Sequence, residues 1–204
     1  MITIIDYGMG NLRSVQKAVE LFASKVKISG FYKDVLRSDK VILPGVGAFG
    51  KAMEELDKRG LRETVLSVVS KGKPFMGICL GMQLLFSDSE EADGVKGLDI
   101  LKGRVKRFAN VNGLKIPHMG WNEIRIGPKN RKSKIFQGIK DRSYMYFVHS
   151  YFVNAENDDA VLCKTEYGNT FVSGIQKDNI YAFQFHPEKS QTSGLRIIEN
   201  FAKL

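Results

Sequence analysis

The strongest constraint on the fold is the alternation of short apolar runs with helical patterns over residues 1–86. Ile2–Ile5 is an apolar run ending at Asp6. Asn11 stands where it can cap a helix whose apolar residues Leu12, Val15, Val19 and Phe22 recur at helical spacing. Val26–Ile28 reads as a second strand and Val41–Leu43 as a third, stopped by Pro44-Gly45. A helical pattern then runs from Lys51 to Ser70 with a break at Gly60, and Phe75–Ile78 is a fourth strand entered from Pro74. Strands separated by helices pair in parallel, because each crossover must carry the chain back along the sheet, and the helices then cover its faces.

The second half has a different rhythm. Arg104–Phe108, Asn122–Ile126, Tyr144–Val148, Val161–Lys164, Thr170–Ile175 and Ile180–Phe185 read as strands joined by turns. Few helices intervene, so some of these strands pair antiparallel. A last helix begins near Ser193, with Leu195, Ile198 and Phe201 on one face. The expectation is one α/β domain over residues 1–204. It is a three-layer sandwich around a mixed, mostly parallel central sheet, with its site at the carboxyl ends of the parallel strands.

Composition narrows the class. A hydrophobic fraction of 43% with 26% charged residues excludes disorder, collagen and coiled coil as the main class. Nothing in the chain reads as a spanning helix or a signal peptide, so a soluble, cytoplasmic protein with no membrane contact is expected. The two cysteines form no disulfide framework. The net charge of +9 is partly local. Arg125, Lys129, Arg131, Lys132, Lys134, Lys140 and Arg142 cluster with only Asp141 near them in sequence. A solvated basic face is the plain reading, an electrostatic docking patch for an acidic partner the sharper one. No nucleic-acid motif accompanies the charge.

The chemistry concentrates in three segments. Gly77-Ile78-Cys79-Leu80-Gly81 follows an apolar strand and precedes a helical pattern from Leu80 to Phe86. This is the glycine-flanked nucleophile elbow, with cysteine as the nucleophile. Side chains at the flanking positions would collide with strand or helix, and the turn sets the sulfur at a helix N-terminus, where the dipole favours thiolate. Cys163, without such flanks, reads as a small core residue. Phe185-His186-Pro187-Glu188 supplies a base and a carboxylate two residues apart at a strand end, so one imidazole nitrogen can be held while the other faces the sulfur. Pro44-Gly45-Val46-Gly47 offers glycine backbone for an oxyanion. His118, His149 and His186 lack metal-ligand spacing, and no cofactor motif is visible.

Together these segments resemble the class I, triad-type glutamine amidotransferases, whose fold is flavodoxin-like. The resemblance covers nearly the whole chain. Ile5-Asp6-Tyr7-Gly8-Met9-Gly10-Asn11-Leu12, Pro117-His118-Met119-Gly120-Trp121-Asn122 and Tyr146-Phe147-Val148-His149-Ser150-Tyr151 are narrower. They resemble the glutaminase subunits of imidazole glycerol phosphate synthase, which act in histidine biosynthesis. The resemblance implies a Cys79–His186–Glu188 triad that hydrolyses glutamine through a thioester, with Gly45, Val46, Gly47 and Leu80 forming an oxyanion hole and its gate. It implies that Gln83 holds the glutamine α-carboxylate and Glu91 the α-amino group, helped by backbone at Ser150 and Tyr151. It also implies a heterodimer with a (β/α)8-barrel cyclase subunit that receives the ammonia and makes imidazole glycerol phosphate and AICAR. Met119, Trp121, Asn122, Tyr146 and Lys189 match positions facing that partner, although a Met-Gly-Trp cluster can equally be core.

Three features depart from the family pattern: the basic balance, Gly174 in place of an expected Ala, and Ala182-Phe183 in place of a Gly-Val type pair. They leave room for a paralogous glutaminase subunit feeding ammonia to a different cyclase-like partner, as in surface-sugar amination. A binding scaffold without activity and a related cysteine peptidase are the readings from other classes.

Overall fold

A computed structural model of the chain describes residues 1–109 and 113–204. Strand β1 (Ile2–Ile5) leads through α1 (Leu12–Glu20), β2 (Val26–Ser29) and α2 (Tyr32–Arg37) to β3 (Lys40–Gly45). Helices α3 (Phe49–Lys58) and α4 (Leu61–Ser70) part at Gly60, whose φ of 64° is the left-handed backbone that glycine adopts without strain. Then β4 (Phe75–Cys79) runs straight into α5 (Leu80–Gln83). The second half carries β5 (Asp88–Ser89), β6 (Gly103–Arg107), β7 (His118–Glu123), β8 (Arg125–Ile126), β9 (Tyr144–His149), β10 (Tyr151–Ala155), β11 (Val161–Tyr167), β12 (Asn169–Lys177) and β13 (Ile180–Phe183). Helix α6 (Gln191–Lys203) follows.

The main sheet has the order β2-β1-β3-β4-β13-β12-β10-β6-β5. Neighbours are parallel from β2 through β13, and antiparallel from β13 through β12 and β10 to β6. Strands β11 and β8 attach beside β12, while β7 and β9 form their own antiparallel pair. The parallel strands bury both faces. In β3, Val41 and Leu43 join one apolar cluster and Ile42 the other. That is why these strands read as unbroken apolar runs rather than alternating ones. Leu56 of α3 with Val65 and Val68 of α4 covers the first face; Val15 and Val19 of α1 with Ile198 and Phe201 of α6 covers the second. Each such fully buried side chain contributes roughly 1.5–3 kcal/mol. The sandwich of two helical layers on a mixed sheet is the expected architecture.

Several boundaries differ from the sequence expectation. Strand β3 is not stopped by Pro44-Gly45 but continues through both, pairing Pro44 with Ile78 and Gly45 with Cys79. Its pairing with β1 ends at Ile42, so proline's missing N–H falls where no β1 partner waits. Helix α5 stops at Gln83 rather than Phe86. Asn11 precedes α1 but its side chain makes no capping bond. Strand β7 begins at His118, four residues before the expected Asn122. Helix α2 and strands β5 and β10 are elements that the sequence pattern does not mark. Gly174 lies against Cys163: a β-carbon there would sit 2.6 Å from the Cys163 sulfur. The basic cluster is partly paired: Arg125 meets the sequence-distant Glu166 at 2.8 Å and Lys129 the sequence-distant Asp159 at 3.2 Å, while Arg131 meets the neighbouring Asp141 at 2.9 Å. These exposed pairs are each worth only ~0–1 kcal/mol, but they divide the patch. Among the described residues no helix is long and apolar enough to cross a membrane.

Candidate active site

The carboxyl ends of β3, β4 and β13 meet at one point. There β4 turns into α5 with Cys79 at φ 55° and ψ −112°, a backbone that costs a non-glycine residue about 1–3 kcal/mol and persists only when its surroundings impose it. They do impose it. A β-carbon at Gly81 would lie 1.9 Å from the Leu43 carbonyl oxygen, and one at Gly77 would lie 2.8 Å from the Gly81 oxygen. One at Gly45 would lie 2.5 Å from the Tyr7 hydroxyl and 2.9 Å from Leu80 Cβ. The glycines let β3, β4 and α5 close to backbone contact and hold the cysteine at the tip.

His186 follows β13, and its Nδ1 lies 2.8 Å from Glu188 Oε1 with both side chains buried. Strand alternation does not make this pair, because β13 ends at Phe183; a 3₁₀ turn, Pro187–Lys189, folds Glu188 back under the imidazole. The His186 Nε2 is buried with no hydrogen-bond partner among the described residues, and Cys79 lies near enough to act on the charge of the imidazole. Burial alone would push this imidazole down, but Cys79 and the Glu188 carboxylate outweigh it and raise its pKa above the ordinary range. The turn is anchored to β9: His186 N–H donates to the Tyr146 carbonyl at 2.9 Å, and Tyr146 N–H to Ser190 Oγ at 2.9 Å.

A cleft of about 340 Å³ opens over the sulfur. Val46, Gly47, Cys79, Leu80, Gln83, Glu91, Ser150 and Tyr151 line it, together with Pro117, Val148 and His149. Gly45 lies behind this wall and does not line it. Gly47 has φ 96°, which again requires glycine. Glu91 Oε2 accepts from the Phe49 N–H at 2.8 Å. Gln83 is held by its neighbours. Its amide nitrogen donates to the Tyr151 carbonyl and to Gln184 Oε1, each at 3.0 Å, so both amide hydrogens are engaged. Its carbonyl oxygen is the part of the amide left without such a partner in these two bonds, and a carbonyl is chemically suited to an ammonium group.

Of the residues expected to face a partner, Met119 is 62% and Trp121 46% exposed, so this cluster is not core. The Trp121 and Tyr146 rings meet edge to face with centroids 6.0 Å apart, and Lys189 Nζ lies 5.8 Å from the centre of the Tyr146 ring. Asn122 is half-buried and begins a polar column. Its amide nitrogen lies 2.9 Å from the Glu166 carbonyl and 3.2 Å from His118 Nε2. His118 Nδ1 lies 2.9 Å from His149 Nε2, and His149 Nδ1 lies 2.8 Å from the Tyr151 carbonyl. A carbonyl only accepts, so His149 Nδ1 carries a proton and its Nε2 accepts; His118 then donates from Nδ1 and accepts at Nε2 from the Asn122 amide. Burial lowers the pKa of His118 to about 4 and that of His149 to about 3, and both rings are neutral. The sequence carried no signal for this column. For Gln184 it carried one: an amide stands inside an apolar run two residues before the candidate base His186.

A cysteine on a strand-to-helix elbow, with a buried histidine–glutamate pair behind it on a mixed α/β sheet, is the arrangement of a thiol-dependent amide-cleaving enzyme. A family model for class I glutamine amidotransferases matches residues 3–204, and the chain belongs to that family. It is 55% identical over 204 residues, all of both chains, to the "Imidazole glycerol phosphate synthase subunit HisH" of Methanocaldococcus jannaschii. It is 50% identical to the Aquifex aeolicus protein of the same name, over 98% of this chain and 95% of that one. Among solved structures, one described as glutamine amidotransferase superposes over the full length of both chains with a TM-score of 0.76 at 17% identity. PurLQS from Thermotoga maritima superposes with 0.74 at 17% identity, over 99% of this chain and 97% of that one. At that identity the likeness establishes the fold.

Proposed function

We propose that this chain is the glutaminase subunit of an imidazole glycerol phosphate synthase, a single cytoplasmic domain that works in complex with a (β/α)8-barrel cyclase. The observation that carries this is the full-length 55% identity to a protein of that name, in a chain whose His186 joins Glu188 and faces Cys79. The raised His186 pKa supports an imidazolium beside Cys79 in the resting site. Cys79 attacks the side-chain amide carbon of glutamine, and the charge that develops on oxygen is taken by backbone N–H groups of Leu80 and of Val46-Gly47, which line the cleft. His186 gives its Nε2 proton to the nitrogen as the C–N bond breaks, releasing ammonia. It then takes a proton from water, which attacks the thioester and frees glutamate and the Cys79 sulfur. Glu91 and the Gln83 carbonyl receive the α-ammonium of glutamine, and backbone at Ser150 and Tyr151 its α-carboxylate.

The cyclase sits on the β7–β9 face, where Met119 and Trp121 stand exposed beside Asn122, Tyr146 and Lys189. Ammonia passes across that interface to make imidazole glycerol phosphate and AICAR. Gly45-Val46-Gly47 is the gate, because its glycines allow a peptide reorientation at low cost when the partner carries its ligand. The test is glutamate release by the chain alone and mixed with an imidazole glycerol phosphate synthase cyclase subunit plus its nucleotide ligand, with Cys79→Ala as control. Large stimulation that vanishes in the variant is expected. Activity without stimulation moves the chain to another cyclase-like partner. No activity, with no labelling of Cys79 by a glutamine analogue, overturns the enzyme.

A further inference from the structure

Gln184 is the most deeply buried polar side chain near the nucleophile, and the triad chemistry leaves it unused. It is fully buried between Phe183 and Phe185, where an unpaired amide would be costly. Its amide nitrogen lies 3.7 Å from the Cys79 sulfur, within hydrogen-bonding distance for sulfur. Its carbonyl oxygen accepts from Gln83 Nε2 at 3.0 Å.

The direction of this amide is fixed by its neighbours. The Tyr151 carbonyl can only accept, so the Gln83 group that meets it at 3.0 Å is the NH₂. That same NH₂ meets Gln184, so the oxygen of Gln184 faces Gln83 and its NH₂ faces the sulfur. Turning the Gln184 amide over would set two NH₂ groups against each other and an oxygen against the sulfur. Among the described residues the Val148 carbonyl oxygen also lies within bonding distance of the sulfur, at 3.9 Å. It accepts a bond from a thiol and repels a thiolate. His186 gives up its proton during turnover, whereas a carboxamide does not titrate in water. Gln184 is therefore a donor that stays with the sulfur at every step in which the sulfur carries charge.

We propose that Gln184 is a catalytic residue whose side-chain N–H holds the Cys79 thiolate, with Gln83 setting the direction of the amide. The proposal rests on the reading of Cys79 as the nucleophile. It places the same bond at two moments. The thiolate is held before attack on the amide carbon, and the sulfur is received again when the C–S bond of the thioester breaks.

The test is the pH profile of iodoacetamide labelling at Cys79, on the full chain, for the wild type and Gln184→Met, a side chain of similar length without a donor. Cys163 stays silent, because burial pushes its thiol up to about 12. The titratable groups around the sulfur are His186, Glu188 and His149, with Tyr7 after β1 and Glu91 across the cleft; all are present in both proteins. In the variant the profile is expected to move to higher pH by about one unit, the scale of one hydrogen bond to an ionised group. Glutamine turnover in the cyclase complex is expected to fall about tenfold in kcat with KM unchanged, a split that lost packing alone would not give. Superimposed profiles overturn the proposal and leave the nucleophile standing. A wild-type Cys79 that labels no faster than a free thiol at pH 6 overturns both. If Gln184→Met does not fold, the Gln184 carboxamide proton resonances of the wild-type chain decide: they are expected to titrate with the labelling profile, and resonances that stay fixed across it overturn the proposal.

Discussion

Replacing His118 and His149 together by Phe is expected to remove most of the acid sensitivity that this fold draws from its histidines. An imidazole in the unfolded chain takes up a proton near pH 6.5, whereas in the fold His118 waits until about 4 and His149 until about 3. Between those values the unfolded chain binds more protons, so stability is present above pH 6.5 and is lost as pH falls. At pH 5 both rings are still neutral in the fold. Each then costs about 2 kcal/mol, since pH 5 lies about 1.5 pH units below the ordinary value and one unit is worth ~1.36 kcal/mol. The pair together lowers stability by about 4 kcal/mol between pH 7.5 and 5, a large share of the ~5–15 kcal/mol of a typical domain. His186 acts with the opposite sign. Its raised pKa contributes stability that is fully present below 6.5 and lost as pH rises toward about 10, and it cancels when variant and wild type are compared.

Phenylalanine suits both sites. His118 is already stacked on Phe147 at 4.8 Å and on Tyr167 at 4.0 Å between ring centres. The ends of the column keep partners, because Asn122 still donates to the Glu166 carbonyl and the Tyr151 carbonyl still accepts from Gln83. Urea melts at pH 7.5 and 5 measure the change. Equal losses for wild type and double variant would mean that these imidazoles protonate in the fold as readily as outside it, and the buried, neutral column would be wrong.

Three further outcomes are expected. Gly81→Ala drives a β-carbon to 1.9 Å from the Leu43 carbonyl oxygen, a backbone atom that cannot swing aside, and should cost about 3 kcal/mol or more in thermal or urea unfolding; a variant as stable as the wild type refutes the close packing. Glu188→Gln keeps the shape but not the charge beneath His186, and should lower kcat for glutamine in the cyclase complex by about 10²- to 10⁴-fold with little change in KM; undiminished turnover removes Glu188 from the triad. Trp121→Ala should weaken cyclase binding by ~2 kcal/mol in titration calorimetry without changing the melting temperature, and unchanged affinity moves the interface off β7.

The parts of the site that were legible in sequence are those where sterics leave few choices. Gly77 and Gly81 could be read because nothing larger fits beside backbone atoms, and the separated pair Cys79 and His186 because parallel strands deliver their carboxyl ends to one edge. Pro44 misled because a proline ends a strand only if both of its neighbours persist, and a sequence does not reveal where β1 stops. Helix α2 spans six residues and buries only Val35, too little for a periodicity. Strand β10 follows β9 after the single residue Ser150, so the two ran together as one motif. The hydrogen bonds of Gln83 were not legible because an amide's donors are spent on whatever lies nearest in space, here Tyr151 and Gln184. The histidine column depended on β7 and β9 lying side by side with His118 opposite His149, a register that local pattern does not fix.

That column also insulates. Protons pass along hydrogen-bonded rings only if one end can release a proton and the other can keep one. Here the chain starts at the amide of Asn122, which does not ionise in water, and ends at the carbonyl of Tyr151, which holds no proton. Neither ring between them accepts a positive charge near neutral pH. The conduit is sealed at both ends. Although it reaches from the exposed β7 strand to the rim of the cleft, it delivers no proton to His186, whose traffic is confined to what enters from the cleft itself.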